Sequence, residues 1–297
     1  MRLTILTPGA ADLQRYDDWR DQAAQLDPLL YARGATVDYV PWTSEVPLTC
    51  DLAIPLMAWG YHRDVARWYA QIDRWTAAGV RFANPLPILR WNADKRYLLD
   101  FAAKSVSIIP TRFTEAIDAN ELAVSRAAFG TDDIVVKPPV SAGSDDTWLL
   151  KGTDALPDAA LGRAMLIQPM MPAIATAGEL SLFWLAGALA HAIVKRPITG
   201  DFRVQPQFGG QTAAIDPPHA ALDLAHAALA ATGGDVLYAR IDMVADNAGG
   251  YALMEIELIE PWLYLDRAAD GGAAFAGAVI RALDPRHDTR LRPDPLA

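Results

Sequence analysis

The spacing of apolar and polar positions changes several times along the chain, and each change marks an element. Leu3 to Thr7 and Thr36 to Val40 read as short strands, and the apolar run Asp51 to Met57 suits a strand buried on both faces. Ala11 to Arg33 reads as a helix ending at Gly34, where the left-handed conformation that closes a helix comes without steric cost. Arg63 to Ala78 reads as a second helix closed by Gly79, and Val80 to Ala83 as a further strand. Alternating strands and helices predict βαβ crossovers and a mostly parallel sheet. Asn84-Pro85-Leu86-Pro87 then breaks the pattern and marks a boundary.

Beyond the boundary the strands predominate. A helix is predicted over Asn92 to Lys104, an extended run over Ile108 to Phe113 and a helix over Ala119 to Phe129. Ile134 to Lys137 and Trp148 to Leu150 follow as strands, then a short helix over Ala155 to Leu161 and a strand from Met165 that runs out at Met171. Glu179 to Leu185 and Leu189 to Arg196 form a hairpin around Ala186-Gly187-Ala188. A glycine-bearing loop, Thr199 to Gln211, contains Arg203 and leads to an alanine-rich helix, Pro217 to Ala231. A final helix is expected over Leu263 to Leu283, and the polar tail 286–297 is expected to be poorly ordered.

Between those last two helices lies a second hairpin, Tyr238 to Ala245 and Tyr251 to Leu258, joined by Asp246-Asn247-Ala248-Gly249-Gly250. Side chains in a strand alternate faces, so Arg240 and Asp242 share a face, as do Glu255 and Glu257. Across a hairpin Asp242, Glu255 and Glu257 can converge. They are either a solvated strand face or a set of hard oxygen ligands for Mg²⁺ or Mn²⁺. The loop Ser141-Ala142-Gly143-Ser144 after the strand-end Lys137 leaves two readings as well. It is an ordinary small-residue loop, or a cradle of backbone N–H groups for phosphate. No P-loop motif and no G-x-G-x-x-G occurs.

Composition narrows the function classes. The 297 residues are 52% hydrophobic, enough for a large core in one body or a few lobes. The net charge of −10 argues against nucleic acid and against an anionic membrane as partners. No apolar run reaches the roughly 20 residues of a membrane span. The N-terminal MRLTILTPGA reads as a first strand rather than a signal peptide. The single cysteine, Cys50, offers no internal disulfide and reads as a core residue, so a cytoplasmic protein is expected. The five histidines show no metal-ligand spacing, and His191 reads as structural.

The order of these pieces resembles the ATP-grasp ligases, most of all their glutathione-synthetase-type branch. A helix lysine precedes a strand-end lysine with a small-residue loop, an IQPMM strand end, a glutamate and a basic loop, and finally R-x-D and E-x-E on adjacent strands. The resemblance covers roughly residues 88–265. GDFRVQPQFGG is similar to the branch's arginine-bearing loop and MEIELIEP to its terminal metal strand. Within the superfamily, the KRP…GDFR and ELIEP segments look nearest to the ligase that closes the ring of D-cycloserine.

The resemblance implies an α/β (α+β grasp) fold. A small parallel α/β domain over 1–87 would precede a two-lobed ATP-grasp domain, its small lobe over 88–171 and its C-terminal lobe over 172–285. Lys95 and Lys137 would bind the nucleotide phosphates under a flap of Ser141, Ala142, Gly143 and Ser144. Gln168, Pro169 and Met171 would hold adenine, and Glu179 the ribose. Arg203 and Lys195 would neutralise the γ-phosphate and the acyl phosphate, and Arg240 would stabilise the oxyanion. Asp242, Glu255 and Glu257 would hold two Mg²⁺ (Mn²⁺ being an alternative), although the branch usually ends E-x-N, not E-x-E. From position alone, Trp59, Tyr61, His62 and Gln205 are candidate substrate contacts.

The implied reaction is ATP-dependent ligation of a carboxylate to an amine through an acyl phosphate, on a small amino-acid-like substrate. The alternatives are an intramolecular cyclo-ligase of the D-cycloserine type and a non-catalytic nucleotide-binding protein of the same fold. A homodimer through the first domain is a further expectation.

Overall fold

The computed structural model describes residues 1–284 apart from Thr199, Phe202, Pro206, Gln207 and Asn247. The tail 286–297, the centre of the second hairpin turn and part of the arginine-bearing loop thus lie outside the described residues.

The chain opens with strand β1 (Arg2–Thr7), helix α1 (Trp19–Tyr31), strands β2 (Thr36–Pro41) and β3 (Leu52–Ile54), and helix α2 (Val65–Ala77). The strands form a parallel sheet in the order β2-β1-β3. The strand expected over Val80 to Ala83 reduces to one parallel bridge between Phe82 and Ala53. Helix α1 is shorter than the spacing predicts. Residues 9–18 wind through turns, with Asp12 N donating to Gly9 O at 2.8 Å and Tyr16 N to Asp12 O at 3.1 Å. Gly9, Asp12, Asp17 and Asp18 favour turns over helix, and that stretch offers no continuous apolar face.

Helix α3 (Leu86–Asn92) starts at once after Pro85, so the expected boundary is a helix N-terminus. The helix expected over Asn92 to Lys104 is in fact the end of α3, a turn, and α4 (Tyr97–Ala103). Asp94 breaks it: its carboxylate accepts from Arg96 N at 2.9 Å, an Asx-type turn. Lys95 therefore sits in the turn, not on a helix, and its N–H donates to Pro139 O at 2.7 Å.

Strands β4 (Arg112–Thr114), β5 (Ile134–Lys137), β6 (Trp148–Leu150) and β7 (Met165–Pro169) make an antiparallel sheet in the order β4-β7-β5-β6, backed by helix α5 (Ala119–Phe129). The short helix expected over Ala155 to Leu161 is a pair of turns onto the Pro157 carbonyl. Proline disfavours helix at the residue before it. After the one-turn helix α6 (Ala173–Thr176) come β8 (Glu179–Leu185), β9 (Ala188–Arg196), β10 (Gln211–Ala214), α7 (His219–Ala231), β11 (Tyr238–Ala245) and β12 (Tyr251–Glu257). Their antiparallel sheet runs β10-β9-β8-β11-β12. The final helix, α8 (Ala273–Leu283), begins ten residues later than expected, after Gly271 and Gly272, both at positive φ.

The five-stranded sheet has two unlike faces. Leu180, Leu182, Trp184, Ile241, Met243, Leu253 and Ile256 pack beneath α4 and α7. On the opposite face Phe183 and Tyr238 join a core with Leu3, Ile5, Leu26 and Leu30, closed by Phe275 and Val279 of α8. The C-terminal helix thus completes the core of the first sheet. The remainder of that face is polar and borders a cavity.

β12 is an edge strand, and its outward backbone groups are satisfied by side chains and by a neighbouring segment. Asn92 donates to Ile256 O at 2.8 Å and accepts from Leu258 N at 2.9 Å. Tyr97 Oη accepts from Ile256 N at 3.1 Å. Leu253 exchanges bonds with Ser107 O and Ile109 N. Asn84, fully buried, donates to Tyr238 O and Leu258 O at 2.9 and 2.8 Å. These bonds leave the strand carrying Glu255 and Glu257 little freedom to slip or fray.

Candidate active site

A cavity of about 740 Å³ is lined by residues from both antiparallel sheets and from the loops above the first sheet. Antiparallel register builds its floor. Arg240 lies opposite Glu257 and Asp242 opposite Glu255 across β11 and β12. Asp242 also faces Ser181 on β8, and Glu179 faces Lys195 on β9. Cross-strand partners project to one face, so six charged groups and a serine share it.

Each acid of that floor has a cationic partner. Lys195 Nζ lies 2.5 Å from Glu179 and 3.4 Å from Asp242. Arg240 meets Asp242 at 2.9 Å and also pairs with Glu257, while the Ser181 hydroxyl donates to Asp242. Lys95 Nζ is 2.9 Å from Glu255 and donates to Ser141 O at 2.5 Å. Burial opposes ionisation of Asp242, but Arg240 and Lys195 outweigh it and hold its carboxyl at about 2. Glu257 is pushed up to about 7 by burial, with Glu255 and Asp242 repelling and Arg240 opposing. Burial also works against the Lys95 ammonium, yet Glu255 overcomes it and the pKa is raised. For Lys137 burial, joined by repulsion from Lys95, outweighs the pull of Glu255 and Glu179 and brings it down to about 8.

The sequence-derived candidates divide on this geometry. Lys95, Lys137, Ser141, Ala142, Gly143, Ser144, Gln168, Pro169, Met171, Glu179, Lys195, Arg203, Gln205, Arg240, Asp242, Glu255 and Glu257 all border the cavity, with Trp59 and His62. Tyr61 does not. Its ring is buried 5.0 Å from that of Trp68 in the core beside the first sheet, because the chain turns into a 3₁₀ segment at Tyr61. The expected meeting of Asp242, Glu255 and Glu257 also needs correction. Among the described residues no three acids form one metal-holding cluster, because Lys95, Lys195 and Arg240 are interleaved with them. The oxygen donors still suit Mg²⁺, on condition that these cations turn aside.

Other candidates carry local bonds that bear on their tasks. The Gln168 side chain donates to Thr111 Oγ1 at 2.9 Å. The Ser141 hydroxyl is directed to Pro138 O at 3.3 Å. Arg203 forks onto Asp201 at 2.8 Å and lies 3.8 Å over the Phe208 ring. Gln205 Nε2 donates to Ser144 Oγ at 2.9 Å, joining the arginine-bearing loop to the flap.

Sequence reasoning missed several lining residues: Arg15, Tyr16, Asp145, Glu260, Trp262 and Tyr264. Arg15 meets both oxygens of Asp145 at 2.9 Å, and His62 Nε2 is 3.3 Å from the same carboxylate. Arg15 and Tyr16 were hidden by the overlong helix. Glu260 did carry a signal, an acid within an apolar run ahead of Pro261, but it falls past the end of the strand alternation.

Comparison with known proteins places this chain among relatives in sequence and in fold. Residues 5–84 match the family described as the D-cycloserine synthetase DcsG N-terminal domain. The cycloserine biosynthesis protein DcsG of Streptomyces lavendulae is 30% identical over 227 residues, 69% of this chain and 75% of that protein. The crystal structure of D-cycloserine synthetase DcsG superposes with a TM-score of 0.80 at 26% identity, over 95% of this chain and all of that one. D-alanine–D-alanine ligase from Bacillus anthracis shares the fold, with a TM-score of 0.68 at 15% identity over 95% of this chain and 94% of that one. No helix of the described residues is long and apolar enough to cross a membrane. The chain belongs to the ATP-grasp ligases, ADP-forming enzymes that make carbon–nitrogen bonds, and within them to the family of DcsG.

Proposed function

We propose that this ATP-dependent ligase activates a carboxylate of a small amino-acid-like molecule as an acyl phosphate and delivers it to an amine, releasing ADP and phosphate. The observation that supports this best is the single polar face that carries Arg240, Asp242, Glu255, Glu257, Glu179 and Lys195 on one cavity wall. A carboxylate is a poor electrophile, and phosphoryl transfer to it is governed by positioning and by charge neutralisation.

Lys95 and Lys137 would take the nucleotide phosphates, below the flap Ser141 to Ser144. The base would lie against Gln168, Pro169 and Met171, and the ribose toward Glu179, once Lys195 yields some of its hold on that acid. Asp242, Glu255 and Glu257 would hold Mg²⁺, which when bound neutralises phosphate oxygens. Two ions are our reading. Lys95 and Arg240 would then pass from carboxylates to phosphate and carbonyl oxygens, so the cations that balance these acids become the groups that stabilise the transferring charge. The cavity would keep the acyl phosphate from water. We assign residues 1–87, 88–171 and 172–285 to the three parts of the chain.

The similarity to DcsG favours a second reading within the same chemistry, in which carboxylate and amine belong to one molecule and the product is a ring. Mass spectrometry of the product decides between them: condensation of two compounds supports the first reading, and loss of water from one supports the second. An ADP-release assay with candidate amino acids tests both. ATP binding with no turnover on any acceptor would defeat the ligase reading.

A further inference from the structure

Glu260, just beyond β12, is unlike the acids carried on β8, β11 and β12. It lines the cavity, yet among the described residues its carboxylate makes no ion pair and no hydrogen bond to another side chain. The cations nearby are committed elsewhere: Lys95 to Glu255, Arg240 to Asp242 and Glu257, Lys195 to Glu179, Arg15 to Asp145, Arg203 to Asp201. Burial and the proximity of Glu257 both disfavour its ionised form, and its pKa is raised. A carboxylate placed so has a use for positive charge from outside the protein.

Its surroundings say which kind. Trp59 and Trp262 stack with centroids 5.6 Å apart and wall the same part of the cavity. Trp59 Nε1 donates to the Glu260 carbonyl at 3.0 Å, which fixes the indole against the acid's own backbone. Tyr16 approaches Trp59 from the turn region before α1, at 6.4 Å. Indole faces offer no ligands to a hard metal ion, which needs several oxygens, but they attract organic cations.

We propose that Glu260, with Trp59 and Trp262, receives an ammonium group of the substrate. This rests on the ligase reading above and specifies which feature of the substrate the site selects. It makes Glu260 a specificity-determining residue: an amine is held as its cation while the carboxylate reacts in the same cavity.

The test replaces the ammonium by a group of equal size. D- and L-amino acids and their matched 2-hydroxy acids (D-alanine against D-lactate, D-serine against D-glycerate, and so on) are titrated by calorimetry into protein saturated with ADP and Mg²⁺. At least one amino acid should bind, with its hydroxy counterpart at least about 30-fold weaker. Glu260→Gln should abolish that preference while leaving the affinity for ADP and the Mg²⁺ requirement unchanged, which also shows that the variant is folded. Equal binding of amino and hydroxy acids, a preference that survives in Glu260→Gln, a raised Mg²⁺ requirement in that variant, or no binding of any amino acid would each overturn the proposal. A preference that depends on Glu260, without ADP release from ATP, would keep this inference and defeat the ligase reading.

Discussion

The charges of the cavity wall are arranged so that no acid of the R-x-D and E-x-E strands stands without a cation. Asp242 depends on Arg240 and Lys195, and Glu255 on Lys95. Asp242→Asn and Glu255→Gln are therefore expected to retain the fold and lower kcat by at least ~10²-fold, since each removes charge where phosphoryl transfer needs it. Steady-state ADP release with circular dichroism as the folding control checks this, and rates like the wild type's would sink the metal assignment. Lys137 gives a pH dependence. Burial lowers its pKa to about 8, so the ammonium is present below that pH and lost as pH rises through it. A site that uses this charge should bind ATP more weakly above pH 8, and Lys137→Arg, whose guanidinium stays charged, should remove that step. Fluorescence titration of ATP from pH 6.5 to 9.5 measures it.

At the scale of elements, the second hairpin shows what alternation can and cannot say. The strand Tyr238–Ala245 has the predicted bounds, and its partner differs by one residue at the end. Alternation put Arg240, Asp242, Glu255 and Glu257 on one face because strand geometry leaves no other choice. It could not supply the lysines that enter from β9 and from the α3–α4 turn, which are distant in sequence. Nor could it reveal Asn84, Asn92 and Tyr97, which close the backbone edge of β12. Asn84→Ala strips four bonds from buried or half-buried backbone groups, including those from Leu237 N at 2.6 Å and Tyr238 N at 3.4 Å. It should lower stability by about 1–3 kcal/mol, as expected for buried groups left unpaired. Urea denaturation checks this, and a change below half of the lower figure would mean that water replaces the side chain.

At the scale of the whole molecule, the flap, the turn region before α1 and the arginine-bearing loop meet over the cavity. Asp145 takes Arg15 and His62, and Ser144 takes Gln205. The Arg15–Asp145 side chains are 48% and 37% exposed, so the pair contributes no more than about 1 kcal/mol, or about fivefold in the closed population. Asp145→Asn should raise the KM for ATP by about that factor and increase the ADP released per molecule of product, as water reaches the activated carboxylate. Parallel ADP and product assays decide; an unchanged ratio would leave the contact without a part in closure.

The sequence by itself determined most of the strands, though not β10, which follows the glycine-bearing loop without a signal of its own; it also determined the alternating acidic face, the strand-end Lys137 with its small-residue loop, and through their order the kind of ligase. All of these depend on local period or local chemistry, which neighbouring residues set. It misjudged helix bounds at Asp94, Pro157 and Gly271-Gly272, since a polar or glycine residue can end a helix, precede one or be carried along in one. Only the tertiary structure decided that Tyr61 is core and Trp59 is not, that the three acids are interleaved with Lys95, Lys195 and Arg240, and that among the described residues the Glu260 carboxylate forms no ion pair. Those facts depend on which segments meet in space, and the meeting is fixed by packing over more than 200 residues of chain, as the bond from Trp59 to the Glu260 carbonyl shows across 201 positions.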